Sequence, residues 1–236
     1  MSYIDIYRQL EINKKDEDGN TPFMHAVMDG NIDLVSYLIN LGVDVNIQNN
    51  DGKTPLIIVA EWDADMEDLD NLTTVNMIMY MLLNAGADTN IQDIYGKTAL
   101  FRAAEYGDKF STYVTKLLLS AGANPNIQDT LGNTALMIYA ENGCDESNKI
   151  IHMLVSLGAD IFMKNHVNEM AYDIALKNNN DSTMKILQKF KDNWIFNPKL
   201  DILLQYEFWN IHNIQSVSNI YTSWKGDKHQ QSGFGK

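Results

Sequence analysis

Histidine and cysteine are the residue types that most often bind metal ions or act as nucleophiles, and this chain of 236 residues has five histidines and one cysteine. The histidines are His25, His152, His166, His212 and His229. No two of them have the spacing of a zinc site, and no motif marks Cys144, in a predicted interhelical loop, as a nucleophile. A phosphate-binding G-x-x-x-x-G-K-[ST] loop is also absent from the sequence. The sequence therefore predicts a protein that is not an enzyme and uses no cofactor and no metal ion.

The densest group of potential ligands is the acidic segment WDADMEDLDNL at 62–72, which places five carboxylates in eight positions. Its D-x-D-x-E start resembles a calcium-binding EF-hand loop. Asp68 stands where that loop needs glycine, and Thr74 stands where it needs the closing glutamate, which argues against calcium. We interpret the segment as a solvated acidic loop, with a site for a basic partner as the alternative.

Composition limits the class of protein. With 45% hydrophobic and 21% charged residues, the chain can bury a sizeable core. The longest uncharged apolar run, VNMIMYMLL at 75–83, is too short to span a membrane. Residues 2–10 lack the basic start and apolar centre of a signal peptide, and a single cysteine agrees with a reducing compartment. We therefore expect an intracellular, cytoplasmic protein with no membrane association.

The net charge of −13 bears on the choice of partner. Nucleic-acid binding needs lysine and arginine surfaces that neutralise phosphates, so this charge argues against it. It favours solubility and a protein partner that is itself basic. We expect the chain to be monomeric.

A repeated motif organises most of the chain. The stretch NIQDIYGKTAL at 90–100 has close copies, NIQNNDGKTPL at 46–56 and NIQDTLGNTAL at 126–136. Glycine followed two residues later by threonine occurs four times, and a degenerate fifth copy follows, with successive spacings of 33, 44, 36 and 36 residues. The pairs are Gly19/Thr21, Gly52/Thr54, Gly96/Thr98, Gly132/Thr134 and Asn168/Met170, and a second glycine series is Gly42, Gly86, Gly122 and Gly158.

Local chemistry predicts one structure for every copy. The threonine is suited to cap a first helix, and Pro22 and Pro55 fit its first position, where a missing N–H costs nothing. Gly30, Gly107 and Gly143 are expected to end that helix, and the second glycine series to follow a second helix. The remaining segment reverses the chain as a finger. Such units cannot bury their apolar faces alone, so they are expected to stack as a solenoid.

A unit with G-x-T-P-L early and G-A-D late resembles the ankyrin repeat, and the resemblance covers about residues 2–190. It implies an all-α solenoid of stacked helix-turn-helix units with β-hairpin fingers. The expected boundaries are a half repeat at 1–17, repeats at about 18–50, 51–94, 95–130 and 131–166, and a degenerate terminal repeat at 167–190. Residues 191–236 would form an aromatic-rich tail, with a capping helix and then a disordered end.

The copies depart from the family pattern at one position. Ankyrin repeats commonly carry histidine after T-P-L, and here apolar side chains are expected to replace its hydrogen-bond relay. The residues at this position are Met24, Ile57, Phe101, Met137 and Asp173. Divergent arrays of this composition resemble those of large DNA viruses and intracellular bacteria, which implies action on host proteins in the host cytoplasm.

The resemblance implies a non-catalytic protein-protein interaction module that binds its partner on the surface of the fingers and first helices. At the fingertips the matching positions are Asn50, Ile94, Tyr95, Thr130 and Leu131. At the ends of the first helices they are Met28, Asp29, Trp62, Arg102, Glu105, Tyr106, Glu141 and Asn142. For Trp62 and Tyr95, packing onto the neighbouring repeat is an equal alternative. The resemblance also implies hydroxylation by a host asparaginyl hydroxylase at the finger asparagines, Asn46, Asn90 and Asn126.

Two other functions stay open. The tail around Leu203, Phe208, Trp209 and Trp224 could recruit a second machine such as a ubiquitin ligase, which would make the protein an adaptor. The tail could also hold a cryptic catalytic site, although 46 residues rarely build one.

Overall fold

The computed structural model describes residues 12–62, 69–106 and 109–196, with side chains omitted for 69–72, 109–110 and 193–196. These residues contain ten α-helices and no strand. The helices are α1 Pro22–Met28, α2 Ile32–Asn40, α3 Pro55–Ala60, α4 Leu69–Asn84, α5 Ala99–Tyr106, α6 Lys109–Ser120, α7 Ala135–Asn142, α8 Asp145–Ser156, α9 Ala171–Lys177 and α10 Asp181–Phe196.

Several sequence-based expectations lie outside the described residues. They are the start of the half repeat at 1–11, the acidic positions 63–68, the glycine at 107, and the tail from 197 on, which carries both the adaptor and the enzyme alternatives. The chain divides into two compact units, Met1–Lys191 and Asp192–Lys236.

The first helices begin where the threonines predict. The hydroxyl of Thr21 accepts a hydrogen bond from the backbone N–H three residues on at 3.3 Å, and those of Thr54 and Thr98 do the same at 3.2 Å. Pro22 and Pro55 open α1 and α3, where their missing N–H groups break no helical hydrogen bond. The N-caps predicted for these three helices are confirmed, whereas Thr134 precedes α7 without a side-chain cap hydrogen bond.

Helices of like position pack on one another in two layers. Each of α1, α3, α5, α7 and α9 contacts the next in that series, and α2 contacts α4 as α6 contacts α8. The position where the family carries histidine is filled by buried apolar side chains in four copies, Met24, Ile57, Phe101 and Met137, each at most 2% exposed. Apolar packing therefore replaces the hydrogen-bond relay, as predicted.

The fingers are tight turns joined side by side. Each is closed on itself by main-chain bonds such as Asn49 N–H to the Lys53 carbonyl at 3.0 Å. One further main-chain bond joins each finger to the next, at 2.9 to 3.0 Å. The donors are Asn50, Ile94, Thr130 and His166, and the matching acceptors are Asp18, Asp51, Tyr95 and Leu131. The β-hairpin fingers of the prediction thus take the form of turns, with no strand in the described part of the chain.

A polar side chain three residues before the turn glycine holds each finger closed, a role that the sequence analysis missed. In the third finger the Asp93 Oδ1 atom accepts the N–H groups of Tyr95 at 2.8 Å and Lys97 at 2.9 Å. Side chains of this type compete well for nearby backbone donors in turns. The five equivalent residues are Asp16, Asn49, Asp93, Asp129 and Asn165.

The degenerate fifth copy keeps its turn. Asn168 replaces the turn glycine and has a φ of 66°, a left-handed conformation that asparagine tolerates better than most residues. The Asp173 side chain accepts the backbone N–H of Met170 at 2.9 Å, so a helix begins here without a threonine. Asn168 and Met170 thus occupy, in this copy, the positions of the turn glycine and of the capping threonine.

Two glycines with similar backbones are expected to respond differently to alanine. Gly42 and Gly52 have φ of 80° and 74°. A Cβ on Gly42 would meet nothing within 4 Å, whereas a Cβ on Gly52 would lie 2.8 Å from the Ile94 nitrogen in the next finger. We expect Gly42→Ala to cost about 1 kcal/mol of unfolding free energy and Gly52→Ala about 2 to 4 kcal/mol. Urea denaturation measures both, and equal losses would contradict the tight contact between fingers.

Candidate functional site

Exposed apolar side chains stand at the tips of successive fingers. Tyr95, Leu131 and Val167 each precede the turn residue of their finger, and they are 53%, 64% and 71% exposed. Ile94, beside Tyr95, is 55% exposed. We call these four side chains the fingertip ridge. Val167 was missed by the sequence analysis, although its place just before Asn168 aligns it with the other two.

The end of α5 adds a second aromatic group to this surface. Tyr106 is 49% exposed, and Glu105 beside it is also exposed. Trp62 differs, because its side chain is half-buried and packs against the core. A Cβ at Gly30 would lie 3.2 Å from the Trp62 ring, so the indole lies beside the loop that follows α1. For Trp62 the structure therefore shows packing onto the preceding repeat.

Arg102 is held by carboxylates of its own chain. Its Nε atom lies 2.8 Å from Asp93 Oδ2 and 3.0 Å from Glu61 Oε1, its Nη2 atom also bonds Asp93, and its Nη1 atom lies 3.1 Å from Glu105. Burial alone would lower the pKa of Arg102, but the hydrogen bond to Asp93 and the nearby carboxylates outweigh burial and raise it. The side chain is only 14% exposed. Arg102 therefore holds the finger that precedes α5 in place, and its side chain offers little to a partner.

Asn142 also makes a bond within the chain. Its Nδ2 group donates to the Ala104 carbonyl at 3.0 Å, which joins the end of α7 to the preceding first helix. Glu141, next to it, is exposed, and its carboxylate makes no ion pair within the described residues. Of these two predicted partner contacts, Glu141 is the one with a side chain that remains available.

Ion pairs recur between the residue after the turn and the end of the first helix. Lys53 bonds Glu61 at 2.7 Å, and Lys97 bonds Glu105 at 2.5 Å. The fifth copy reverses the signs, with Lys177 3.3 Å from Glu169. The fourth copy has Asn133 opposite Glu141. Its first helix therefore ends in a carboxylate without this internal cation.

The finger asparagines bridge neighbouring repeats. Asn46 donates through Nδ2 to the Gly86 carbonyl at 3.2 Å and accepts the Asp88 N–H at 2.8 Å. Asn126 makes the same pair of contacts with the next loop, each at 2.8 Å. Asn90 accepts the Asn124 N–H at 2.8 Å. All three side chains thus hold the following repeat in place.

The residue types that could bind a metal ion or act as nucleophiles are dispersed over the chain. In the described part of the chain, no group of three or more histidine, cysteine, aspartate and glutamate side chains could hold a metal ion. The Cys144 sulfur caps α8 by accepting the Ser147 N–H at 3.4 Å. His25 bonds Asp16 at 2.8 Å and lowers the pKa of that carboxyl. None of the helices seen in the described ranges is long and apolar enough to cross a membrane.

Comparison with known families decides the class of this chain. The family model described as ankyrin repeats (3 copies) matches residues 3–78 and 70–165. The chain is an ankyrin-repeat protein. Ankyrin repeats are generally protein-protein interaction modules, and the family is typically non-catalytic.

Curated relatives of this ankyrin-repeat protein match short stretches of it. Over 62 residues it is 40% identical to protein phosphatase 1 regulatory subunit 27 of Mus musculus, covering 26% of this chain and 38% of that protein. Over 52 residues it is 35% identical to the Notch-regulated ankyrin repeat-containing protein of Homo sapiens, covering 22% and 46%. Over 46 residues it is 46% identical to an ankyrin repeat-containing protein of Schizosaccharomyces pombe, covering 20% and 22%. The match spans less than half the length of each of these relatives.

Proposed function

We propose that this ankyrin-repeat protein binds a partner protein on the surface made by its fingers and the exposed ends of its first helices. The observation that carries the proposal is the fingertip ridge, with Tyr106 at the end of α5. Apolar and aromatic side chains that are half exposed at regular positions are typical of an interaction site.

Charge favours a basic partner. Glu105 and Glu141 lie at the ends of first helices on this surface, and the chain as a whole carries a net charge of −13. Carboxylates around an apolar ridge steer a basic surface and suppress binding of acidic ones. We further propose that the protein acts as a cytoplasmic monomer, in a host cell if the source is a virus or an intracellular bacterium. One relative is named as a regulatory subunit of a phosphatase, which supports a protein as the ligand.

The test is affinity purification with the intact chain as bait. Proteins that bind would be identified by mass spectrometry, and each candidate would then be purified and titrated against the chain by calorimetry. We expect saturable binding that is lost when fingertip side chains are truncated. Binding that instead depends only on residues outside the fingers and first helices would overturn the proposed surface.

The finger asparagines carry a second, separate proposal. Asn46, Asn90 and Asn126 are proposed as substrates of a host asparaginyl hydroxylase. Their side-chain bonds to the next repeat must open for an enzyme to reach them, so modification is expected to be slow and partial. Peptide mass spectrometry after coexpression with the hydroxylase should find one added oxygen on at least one of the three. Finding none on any of them would refute the proposal.

A further inference from the structure

Three carboxylates surround Arg102, and the positions that supply them recur along the array. Glu61 lies nine residues after its turn glycine, Asp93 three residues before the next turn glycine, and Glu105 nine residues after that same glycine. Together they bond three nitrogens of one guanidinium. The Arg102 cluster therefore has a geometry that fits arginine, and its carboxylates occupy positions that recur in the repeats.

The next repeat has acidic residues at the positions of Asp93 and Glu105, and isoleucine at the position of Arg102. A step of 36 residues carries Asp93 onto Asp129 and Arg102 onto Ile138. The same step carries Glu105 onto Glu141. Glu105 itself corresponds to Glu61 of the Arg102 cluster, and its carboxylate already bonds Lys97 and Arg102. We call Glu105, Asp129, Ile138 and Glu141 the Asp129 cluster.

The other repeats show that this combination is an exception. In the other two fingers whose side chain is aspartate, the first helix offers a hydrogen-bonding side chain, Arg102 to Asp93 and His25 to Asp16 at 2.8 Å. Where the finger side chain is asparagine, at Asn49 and Asn165, the first helix carries isoleucine. Asn49 and Asn165 need no cation, since their Nδ2 groups donate to an asparagine of the preceding repeat at 2.9 Å and 3.0 Å. Asp129 alone combines aspartate in the finger with isoleucine in the helix.

Asp129 is therefore a largely buried residue, and one of its two carboxylate oxygens has no partner within the described residues. Its side chain belongs to a residue only 7% exposed. Oδ1 accepts the N–H groups of Leu131 at 2.9 Å and Asn133 at 2.8 Å, and within the described residues Oδ2 accepts no hydrogen bond and joins no ion pair. Oδ2 is not among the fully buried polar side-chain atoms that lack a partner, so it contacts solvent and a donor can reach it from outside.

We propose that the Asp129 cluster receives an arginine side chain of the partner protein. This inference rests on the proposed function, since it places one contact within the same binding surface. Arginine fits better than lysine, because the Arg102 cluster shows three carboxylates arranged around a planar fork of donors and lysine offers only a point charge. The methylene groups of the arginine would pack on Ile138 and Leu131.

A direct test is nuclear magnetic resonance titration of the full-length 15N-labelled chain with three capped tripeptides. They are leucine-arginine-leucine, leucine-lysine-leucine and leucine-citrulline-leucine, where citrulline has the shape of arginine without its charge. We expect the arginine peptide to shift the amide signals of Leu131 and Asn133, which donate to Asp129. The lysine peptide should bind several-fold more weakly, and the citrulline peptide should leave both signals in place. Equal shifts with citrulline, or shifts spread evenly over the acidic surface, would overturn the proposal.

Two variants test the same cluster from within the chain. Asp129→Asn keeps the turn, as Asn49 and Asn165 do in other fingers, and it should remove the response to the arginine peptide. Ile138→Arg should fill the site as Arg102 does and should also remove that response. We expect Ile138→Arg to raise the Tm by about 2 to 4 °C more in the native chain than in the Asp129→Asn background, as a coupling between neighbouring groups requires. Absence of that coupling would count against the cluster.

Capture of a partner protein separates the two proposals. Loss of capture both with Ile138→Arg and with truncation of Tyr95 and Tyr106 supports the arginine site on the proposed surface. Capture that survives Ile138→Arg but is lost with the tyrosines overturns the arginine site and leaves the binding surface in place. Capture that survives both overturns the proposed surface, and the peptide titration then decides the arginine site by itself.

Discussion

Replacing Tyr95 and Tyr106 together with alanine is expected to abolish capture of the partner protein while the array stays folded. Rigid aromatic anchors near the middle of an interface each contribute about 2 kcal/mol or more when truncated, and both side chains are about half exposed. Neither belongs to the buried core. The stacking of the Arg102 guanidinium on the Tyr95 ring, at 5.6 Å, contributes about 0.5 to 1 kcal/mol to the fold, so the Tm should fall only slightly.

Binding would be measured by calorimetry with the purified partner, and folding by circular dichroism and thermal melting. The matched control is Tyr37→Ala, which removes a tyrosine that is 59% exposed on the second helix α2. Tyr37→Ala should leave capture unchanged. Full binding by the folded double variant would refute the assignment of the fingertip surface and would direct attention to the acidic segment at 63–70 or to the tail.

Replacing Arg102 with isoleucine is expected to be the most destabilising single change among the charged residues. It leaves the Asp93 side chain buried, with 0% exposure, and without its cation. Breaking a buried ion pair from one side costs about 3 kcal/mol or more, which corresponds to a Tm lower by roughly 6 to 12 °C in a chain of this length.

The matched rescue is the double variant Arg102→Ile with Asp93→Asn. It converts this finger to the asparagine-isoleucine combination that Asn49 and Ile58 already show, so it should recover most of the lost stability. Glu105→Gln serves as a control that removes the charge of the more exposed partner of Arg102, which also pairs with Lys97, and it should cost less than about 1 kcal/mol. A single Arg102→Ile variant as stable as the native chain would show that the Arg102 cluster adds little to folding.

The elements of this fold follow from local chemistry in the sequence. A threonine before proline, as at Thr21, and a glycine that needs a left-handed backbone, as at Gly52, act within a few residues of themselves. Their spacing therefore predicted helix starts, turns and the order of the repeats. Asn168 takes the turn position of the degenerate copy for a similar reason, since asparagine tolerates the left-handed conformation that the turn requires.

The site was harder to predict because its side chains are decided by neighbours distant in sequence. Arg102 stands on the right face of a first helix, and its register gave no sign that Asp93 and a glutamate of the preceding repeat would hold it. Trp62 follows the end of α3, where a partner contact was expected, yet its ring packs near Gly30. In the sequence, finger side chains such as Asp129 look like ordinary polar loop residues. Only the structure shows their hydrogen bonds to the turn.

The main-chain bond between fingers is the same in repeats of different length. The second and third turn glycines are 44 residues apart and the third and fourth are 36 apart, yet the finger junctions have the same bond, Ile94 N–H to Asp51 at 3.0 Å and Thr130 N–H to Tyr95 at 2.9 Å. The additional residues lie between the two helices of the repeat and in its longer second helix, which has 16 residues in α4 against 12 in α6, and they leave the bond between fingers unchanged. Segments of different length and charge can therefore be gained or lost between the two helices of a repeat while the finger positions of the proposed binding surface stay in register.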